Sequence, residues 1–375
     1  MKVAYIQNRV QLGGRFQVTF EMTKVLNAMG IIPDFYCYRH RLTLEDIEAH
    51  YGASIQLNFK PIKEPKLPFE WNITRFNSDV NKHVQDYDLI INSNNTSLGL
   101  DPSLNSISYV HYPRKARLMT GISLTKLLDI GRDPMQLNAL RYHWHRKVGA
   151  RDLQIANSAF TAARFEEQYN AKIDGILYPP VAIDFKQSEK VGRRIVSLGR
   201  FSPNKRQLEQ IKMMADLREY ELYLIGFKND VDYYNRCSQA ITEFKLTNVH
   251  LIADASEEER NNLLTSAAFF IHSLREEPFG ITTVQGIGAG CIPIVHNSGG
   301  QKEVVPFEEL RYENEDAIPA LVRALEKSDR IEELRATLQK HIAVTTVAHL
   351  ELNSKSYWNV NCPKYEKRQT LKGMV

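Results

Sequence analysis

The feature that most constrains this chain is an alternation of short apolar runs with helical patterns, played out twice on either side of a proline pair. In the first half Val3 to Ile6 is an apolar run of strand length. It leads through Gly13 and Gly14 into a helical pattern through Phe16, Phe20, Val25 and Leu26. Asp34 to Tyr38, Asp88 to Asn92, Ile107 to His111 and Leu153 to Ala156 read as further strands, with Asn157 and Ser158 placed to cap a helix beginning near Phe160. Pro179 and Pro180 can neither join a strand ladder nor continue a helix, so a linker is predicted there. The second half restarts the alternation. Strands are predicted at Arg194 to Leu198, Glu221 to Ile225, Val249 to Ile252, Ala267 to Ser273 and Cys291 to His296. Helices are predicted near Lys205 to Leu217, Asp230 to Phe244, Ile281 to Ala289, Glu315 to Lys327 and Ile331 to Ile342, and Ser256 with Glu259 reads as a capping box.

This spacing predicts an α/β protein with parallel sheets flanked by helices. At 375 residues the chain is long for one core. Two domains are therefore expected, 1–180 and 181–349, with a cleft between them where strand C-terminal ends face a shared substrate. Tyr357, Trp358 and Tyr365 in the tail 350–375 suggest that it docks on another surface, crossing back to the N-terminal domain.

No window approaches the roughly 18 apolar residues that a membrane span needs. The N-terminus enters a strand-like run directly, so no secretory signal is expected. Cys37, Cys237, Cys291 and Cys362 are widely spaced with no CxxC, which argues against a zinc site or disulfide framework and for a reducing cytoplasm. The net charge of +4 is too small to suggest nucleic acid as a partner. Yet between Tyr112 and Arg151 nine basic residues stand against Asp129 and Asp133, a local excess of +7. Such a stretch suits a phosphate-bearing acceptor or peripheral contact with an anionic membrane, and equally a solvated helical face.

The most informative run is EEPFGITTVQGIGAG, Glu276 to Gly290. It sets the carboxylate of Glu277 before a tight turn at Pro278, Phe279 and Gly280. The backbone N–H groups of Ile281, Thr282 and Thr283 then open a helix, whose unpaired donors and partial positive charge suit a phosphate. Gln285 follows a little over two turns in, within reach of the same ligand. Gly286, Gly288 and Gly290 are expected to let this helix pack close to the sheet.

This run resembles the C-terminal domain of GT-B glycosyltransferases, in particular the retaining family 4, whose signature is a glutamate, seven residues, and a second glutamate. Glu277, Phe279 and Gly280 match, but Gln285 stands where the second glutamate belongs. The resemblance implies a GT-B fold of two Rossmann-like domains, an N-terminal acceptor side and a C-terminal donor side. It further implies transfer of a hexose from a UDP- or GDP-linked donor to a glycan or lipid-linked acceptor. No metal and no tightly bound cofactor are expected. By the same resemblance Glu277 contacts the donor sugar and Gln285 the ribose, through neutral hydrogen bonds instead of charge-assisted ones. LGRFSPNK resembles the family's Gly-Arg loop, which implies that Arg200 and Lys205 clamp the diphosphate and stabilise it as it leaves. HNSGGQKE resembles the Gly-Gly-x-x-Glu loop, which implies close backbone approach at Gly299 and Gly300 and Glu303 near the nucleotide. Gly13-Gly14 matches the first glycine loop, and His111 in YVHYP matches a histidine facing the donor sugar. The likeness is strong in the second half and thin between about 40 and 85.

Taken singly, Gly13-Gly14 also fits a plain turn, His111 a core histidine, Glu277 a helix cap, and Arg200 and Lys205 surface charges. A GT-B sugar-nucleotide epimerase and a nucleotide-sugar-binding module without catalysis are the competing readings. A dehydrogenase is disfavoured because Gly286-x-Gly288-x-Gly290 lies inside a helix, with no ribose-binding acid on a later strand end.

Overall fold

The computed structural model describes residues 1–64, 69–94, 98–101, 103–113, 152–181, 183, 185 and 188–346. The basic stretch, apart from its first two residues, and the aromatic tail lie outside the described residues. The chain forms two compact units that meet between Pro180 and Val181.

The N-terminal unit runs β1 (Val3–Ile6), α1 (Gly14–Ala28), β2 (Asp34–Tyr38), α2 (Leu44–Tyr51), β3 (Asn58–Ile62), α3 (Phe69–Asn81), β4 (Leu89–Asn92), β5 (Ser106–Val110), β6 (Asp152–Ala156), α4 (Ala159–Tyr169) and β7 (Gly175–Ile176). Its seven strands lie in the order β3-β2-β1-β4-β5-β6-β7, paired in parallel throughout. Every residue of β1, β4 and β5 is buried, as a sheet covered on both faces requires. Ile6, Tyr38, Phe76, Ile90 and Leu98 share one core cluster. Ser158 caps α4, its Oγ accepting from the Thr161 N–H at 3.0 Å.

Between residues 40 and 85 the elements differ in how much sequence signal they carry. β3 is an edge strand, largely exposed, with Lys60 and Pro61 where an inner strand carries apolar side chains. α2 did carry a sequence signal. Thr43 and Asp46 form a reciprocal capping box, and Gly52 ends the helix in the left-handed region.

The C-terminal unit runs β8 (Val191–Leu198), a 3-10 turn at Pro203–Lys205, α5 (Gln207–Met213), β9 (Glu221–Gly226), α6 (Val231–Glu243), β10 (Val249–Ala253), α7 (Glu257–Ser266), β11 (Ala267–His272), α8 (Ile281–Gly288), β12 (Ile292–His296), α9 (Gln301–Val304), β13 (Arg311–Tyr312), α10 (Ile318–Glu326) and α11 (Ile331–Thr346). Its six strands lie in the order β10-β9-β8-β11-β12-β13, again all parallel. The order reverses between β8 and β11. The loops leaving their C-terminal ends therefore part in opposite directions and leave a crevice at the strand ends.

Three local readings differ from the sequence expectation. The helix expected from Lys205 starts two residues later, because Arg206 sits in the left-handed region at φ 58° and separates the 3-10 turn from α5. Ser256 accepts from the Glu259 N–H at 3.1 Å, but among the described residues the reciprocal half of that capping box does not form. The glycines of α8 have separate tasks. A Cβ on Gly286 would lie 2.6 Å from the ring of Phe270 on β11, whereas one on Gly288 would meet Ile183 at 2.9 Å, and Gly290 takes a left-handed turn at φ 84°. Only Gly286 brings the helix onto the sheet.

Among the described residues no helix is long and apolar enough to cross a membrane. Because Phe270 is fully buried and cannot swing away, Gly286→Ala should destabilise the C-terminal unit by about 1–3 kcal/mol, the usual cost of overpacking. Urea unfolding should show it as a lower midpoint with unchanged slope.

Candidate functional site

Two loops of the C-terminal unit, drawn together by the pairing of β8 with β11, carry the charged residues. The first leaves β8 at Gly199 and runs to Arg206; the second leaves β11 at His272 and runs to Gly280. Gly226, at the end of β9, has to be glycine, since a Cβ there would fall 2.1 Å from the Gly199 carbonyl oxygen.

Glu277 is the electrostatic centre. Its Oε2 accepts from Lys205 Nζ at 3.1 Å and lies 3.0 Å from His272 Nε2. The Glu277 side chain is 16% exposed and that of His272 only 2%. Burial by itself raises the Glu277 carboxyl, but the Lys205 cation and the His272 hydrogen bond outweigh it and hold the pKa at about 2. His272 is displaced the other way. Burial, then the nearby Lys205 charge, disfavour its protonated form, although Glu277 opposes them. Thr282 Oγ1 stands 3.3 Å from His272 Nδ1. A neutral imidazole satisfies both contacts with its proton on Nε2, donating to Glu277, and with Nδ1 accepting from the Thr282 hydroxyl.

The turn after Glu277 leads into α8, whose N-cap, Gly280, sits at φ 110° and supplies no capping side chain. The first-turn N–H groups of Ile281, Thr282 and Thr283 thus open without a side-chain cap, a setting that suits an anion. Gln285 is half-buried on the same helix. Phe279 is buried beneath the turn, and Thr283 Oγ1 donates to Gln301 Oε1 at 2.7 Å, tying α8 to α9.

Gly299 and Gly300 do permit a close backbone approach, but the partner is the Glu277 turn. The Gly300 N–H donates to the Glu277 carbonyl at 2.8 Å. A Cβ on Gly299 would meet that carbonyl oxygen at 2.5 Å, and one on Gly300 would meet the Pro278 carbonyl oxygen at 2.0 Å. Glu303 lies on α9, and its carbonyl oxygen is 2.7 Å from His341 Nε2. Arg200 is exposed at the end of β8, and among the described residues its guanidinium makes no hydrogen bond or ion pair.

Four residues at this place were not among the predicted ones. His272 ends an otherwise apolar strand five residues before Glu277, the one signal that was available. Arg206, Arg275 and Glu315 gave none. Glu315, its side chain 10% exposed, accepts from Arg206 at 2.7 Å and from Arg275 at 3.4 Å, so one carboxylate grips both charged loops. Among the described residues no three His, Cys, Asp or Glu side chains converge as metal ligands.

In the N-terminal unit the predicted residues lie at the C-terminal strand ends. Gly13 precedes α1 at φ 139°, with its N–H 3.2 Å from the Tyr51 hydroxyl, and Gly14 is the first residue of the helix. His111 follows β5, its Nε2 2.7 Å from Ser93 Oγ and its carbonyl accepting from Asn157 Nδ2 at 2.9 Å. Burial, then the Arg15 charge, lower its pKa well below the ordinary value. A neutral imidazole at a strand end can exchange hydrogen bonds with a hydroxylated ligand.

Residues 182–342 match the family model of glycosyl transferases group 1. In sequence, the chain is 30% identical over 246 residues to the human GDP-Man:Man(3)GlcNAc(2)-PP-Dol alpha-1,2-mannosyltransferase, covering 54% of this chain and 48% of that protein. It is 26% identical over 249 residues to the Rhizomucor pusillus alpha-1,3/1,6-mannosyltransferase ALG2, covering 54% and 53%. The chain thus spans about half the length of the curated relatives it matches. In structure it is similar to Anabaena Alr3699/HepE, solved in complex with UDP and glucose, at a TM-score of 0.69 and 15% identity, over 95% of this chain and 99% of that one. A Rickettsia africae glycosyltransferase aligns equally well, at a TM-score of 0.69 and 14% identity over 96% and 98%. This chain therefore has the GT-B fold, and its residues 182–342 are similar to the glycosyl transferases group 1 family.

Proposed function

We propose that this protein transfers a hexose, with mannose the first candidate, from a nucleoside diphosphate sugar to a hydroxyl of a lipid-linked glycan, with retention of configuration. The observation that carries the reading is the ionised, half-buried Glu277 held by Lys205 beside the uncapped start of α8. A carboxylate to accept sugar hydroxyls, a cation and a row of free N–H groups are what a sugar diphosphate requires.

In this reading the diphosphate lies among Arg200, Lys205 and the N–H groups of Ile281, Thr282 and Thr283. The Lys205 ammonium has three N–H donors and spends one on Glu277, so it can hold carboxylate and phosphate together. Gln285 takes the ribose and Glu303 stands near the nucleotide, while Gly13-Gly14 and His111 keep the roles their resemblance implies. In the reaction the bond from anomeric carbon to diphosphate breaks and the acceptor oxygen bonds to that carbon on the same face. The acceptor proton passes to the departing phosphate oxygen, and the nucleoside diphosphate leaves. GDP-mannose is the preferred donor because several relatives carry GDP-Man in their names. The basic stretch between Tyr112 and Arg151 supports an anionic, lipid-linked acceptor at a membrane surface.

The direct test is a thermal-shift screen against UDP, GDP, ADP and their common sugars, followed by an assay of sugar release. A donor that raises the melting temperature and is slowly hydrolysed supports the reading. Stabilisation without turnover in the presence of glycan acceptors favours a binding module. Glu277→Ala should lower turnover roughly 100-fold or more while the far-ultraviolet circular dichroism stays native; unchanged turnover removes Glu277 from the chemistry. Arg200→Ala combined with Lys205→Ala should abolish measurable binding of the free nucleoside diphosphate, so retained affinity would refute the clamp.

Gln285→Glu restores a charge-assisted bond to the ribose and should tighten nucleotide binding by roughly tenfold, measured by calorimetry. The carboxyl of Glu277 is depressed from 4.5 to about 2, so its contribution to stability is fully present above pH 4.5 and lost as the pH falls toward 2. Acid unfolding of Glu277→Gln should accordingly lose this component between those values and match the native protein's pH slope above them.

A further inference from the structure

We propose that His272 is the positioning residue of this site: its Nε2–H fixes Oε2 of Glu277, so that Oε1 is the oxygen presented to the donor sugar. The inference rests on the reading of Glu277 as the sugar contact.

Both hydrogen bonds to the Glu277 side chain end on Oε2, and among the described residues Oε1 has no partner. The two donors differ in kind. Lys205 reaches Glu277 on a flexible four-carbon stem, and its ammonium is the group assigned to the diphosphate. His272 is part of β11, where Phe269, Phe270 and Ile271 before it are all buried and its own side chain is 2% exposed. The ionised Glu277 carboxylate can only accept, which selects the Nε2–H tautomer, and the other ring nitrogen then accepts from the Thr282 hydroxyl 3.3 Å away. The imidazole therefore holds the carboxylate in one rotamer whatever Lys205 is doing. Thr282 belongs to the first turn of α8, so the relay Thr282–His272–Glu277 also links the carboxylate to the helix start assigned to the phosphates. A carboxylate fixed before the donor arrives spares the transition state the cost of ordering it.

The test uses mannose release from GDP-mannose, with GDP binding measured separately. His272→Phe keeps the ring volume and removes the donor. It should lower kcat roughly 10- to 100-fold, the size expected for losing a hydrogen bond to a charged group, and leave GDP affinity within about threefold. His272→Gln, whose amide can reach the position of Nε2, should recover most of that loss. Thr282→Val, which leaves the strand core untouched and serves if His272→Phe does not fold, should lower kcat in the same sense by a smaller factor. In a Glu277→Ala background His272→Phe should add less than about twofold, because the two residues act as one unit. A loss that falls equally on GDP affinity, or that multiplies in the Glu277→Ala background, overturns the proposal.

If the native protein releases mannose neither from GDP-mannose nor glucose from UDP-glucose, the transferase reading fails and the held carboxylate is still decided by a second readout. In 15N-histidine NMR the resonance missing from His272→Phe should report a neutral Nε2–H tautomer that does not titrate between pH 5 and 8 and that shifts in Glu277→Ala. An Nδ1–H tautomer, or titration within that range, overturns the inference.

Discussion

The parallel pairing of β8 with β11 is the constraint on which the candidate site depends. Ile195 and Val196 lie in register with Phe269 and Phe270, so the loops that follow emerge side by side although about 75 residues separate them. Neither loop has a site alone. One brings cations and the other a carboxylate, and the ladder sets them at hydrogen-bonding distance. Both strands are buried along this pairing, from Ile195 to Leu198 and from Ala267 to His272, and after an irregularity between Ala267 and Phe269 the ladder runs in register through Phe269 and Phe270.

Backbone packing then fixes the second loop more tightly than side chains alone could. Gly299 and Gly300 press against the main chain of Glu277 and Pro278, and the Gly300 N–H closes the contact. Glu315, between Arg206 and Arg275, clasps both loops from a neighbouring 3-10 turn. Burial raises the Glu315 carboxyl, but a backbone N–H and the two arginines more than offset it, and its pKa falls below the ordinary value. The outcome is a braced frame around the Glu277 carboxylate. Such a frame matters because an electrostatic site works through groups that need not reorganise as charge develops.

Much of this was legible in the sequence. Strand and helix order in the second half could be read from apolar runs bounded by Gly, Pro and capping residues, because parallel strands buried on both faces are nearly continuous in hydrophobicity. The short spacing from Glu277 to Gln285 could be read for the same reason that any local motif can: one turn and two helical turns fix where those side chains go. The first half was less legible where its sheet reaches an edge, since an exposed strand such as Asn58–Ile62 carries no apolar signature.

The sequence by itself determined the two alternating α/β halves, the uncapped helix start after Gly280, and the placing of Glu277 and Arg200 at loop positions, whereas Lys205, expected to open a helix, ends a 3-10 turn. Tertiary structure alone decided that Lys205 and His272 meet on one oxygen of Glu277, that the Gly299-Gly300 loop packs on the Glu277 turn, and that Glu315 joins Arg206 to Arg275. The physical reason is range. A turn or a cap is specified by neighbours a few residues apart, whereas most of these contacts join residues from roughly 20 to more than 100 positions apart, brought together only by strand order and register. The His272–Glu277 pair is close in the chain, and even there the contact depends on the turn that the packed glycines hold in place.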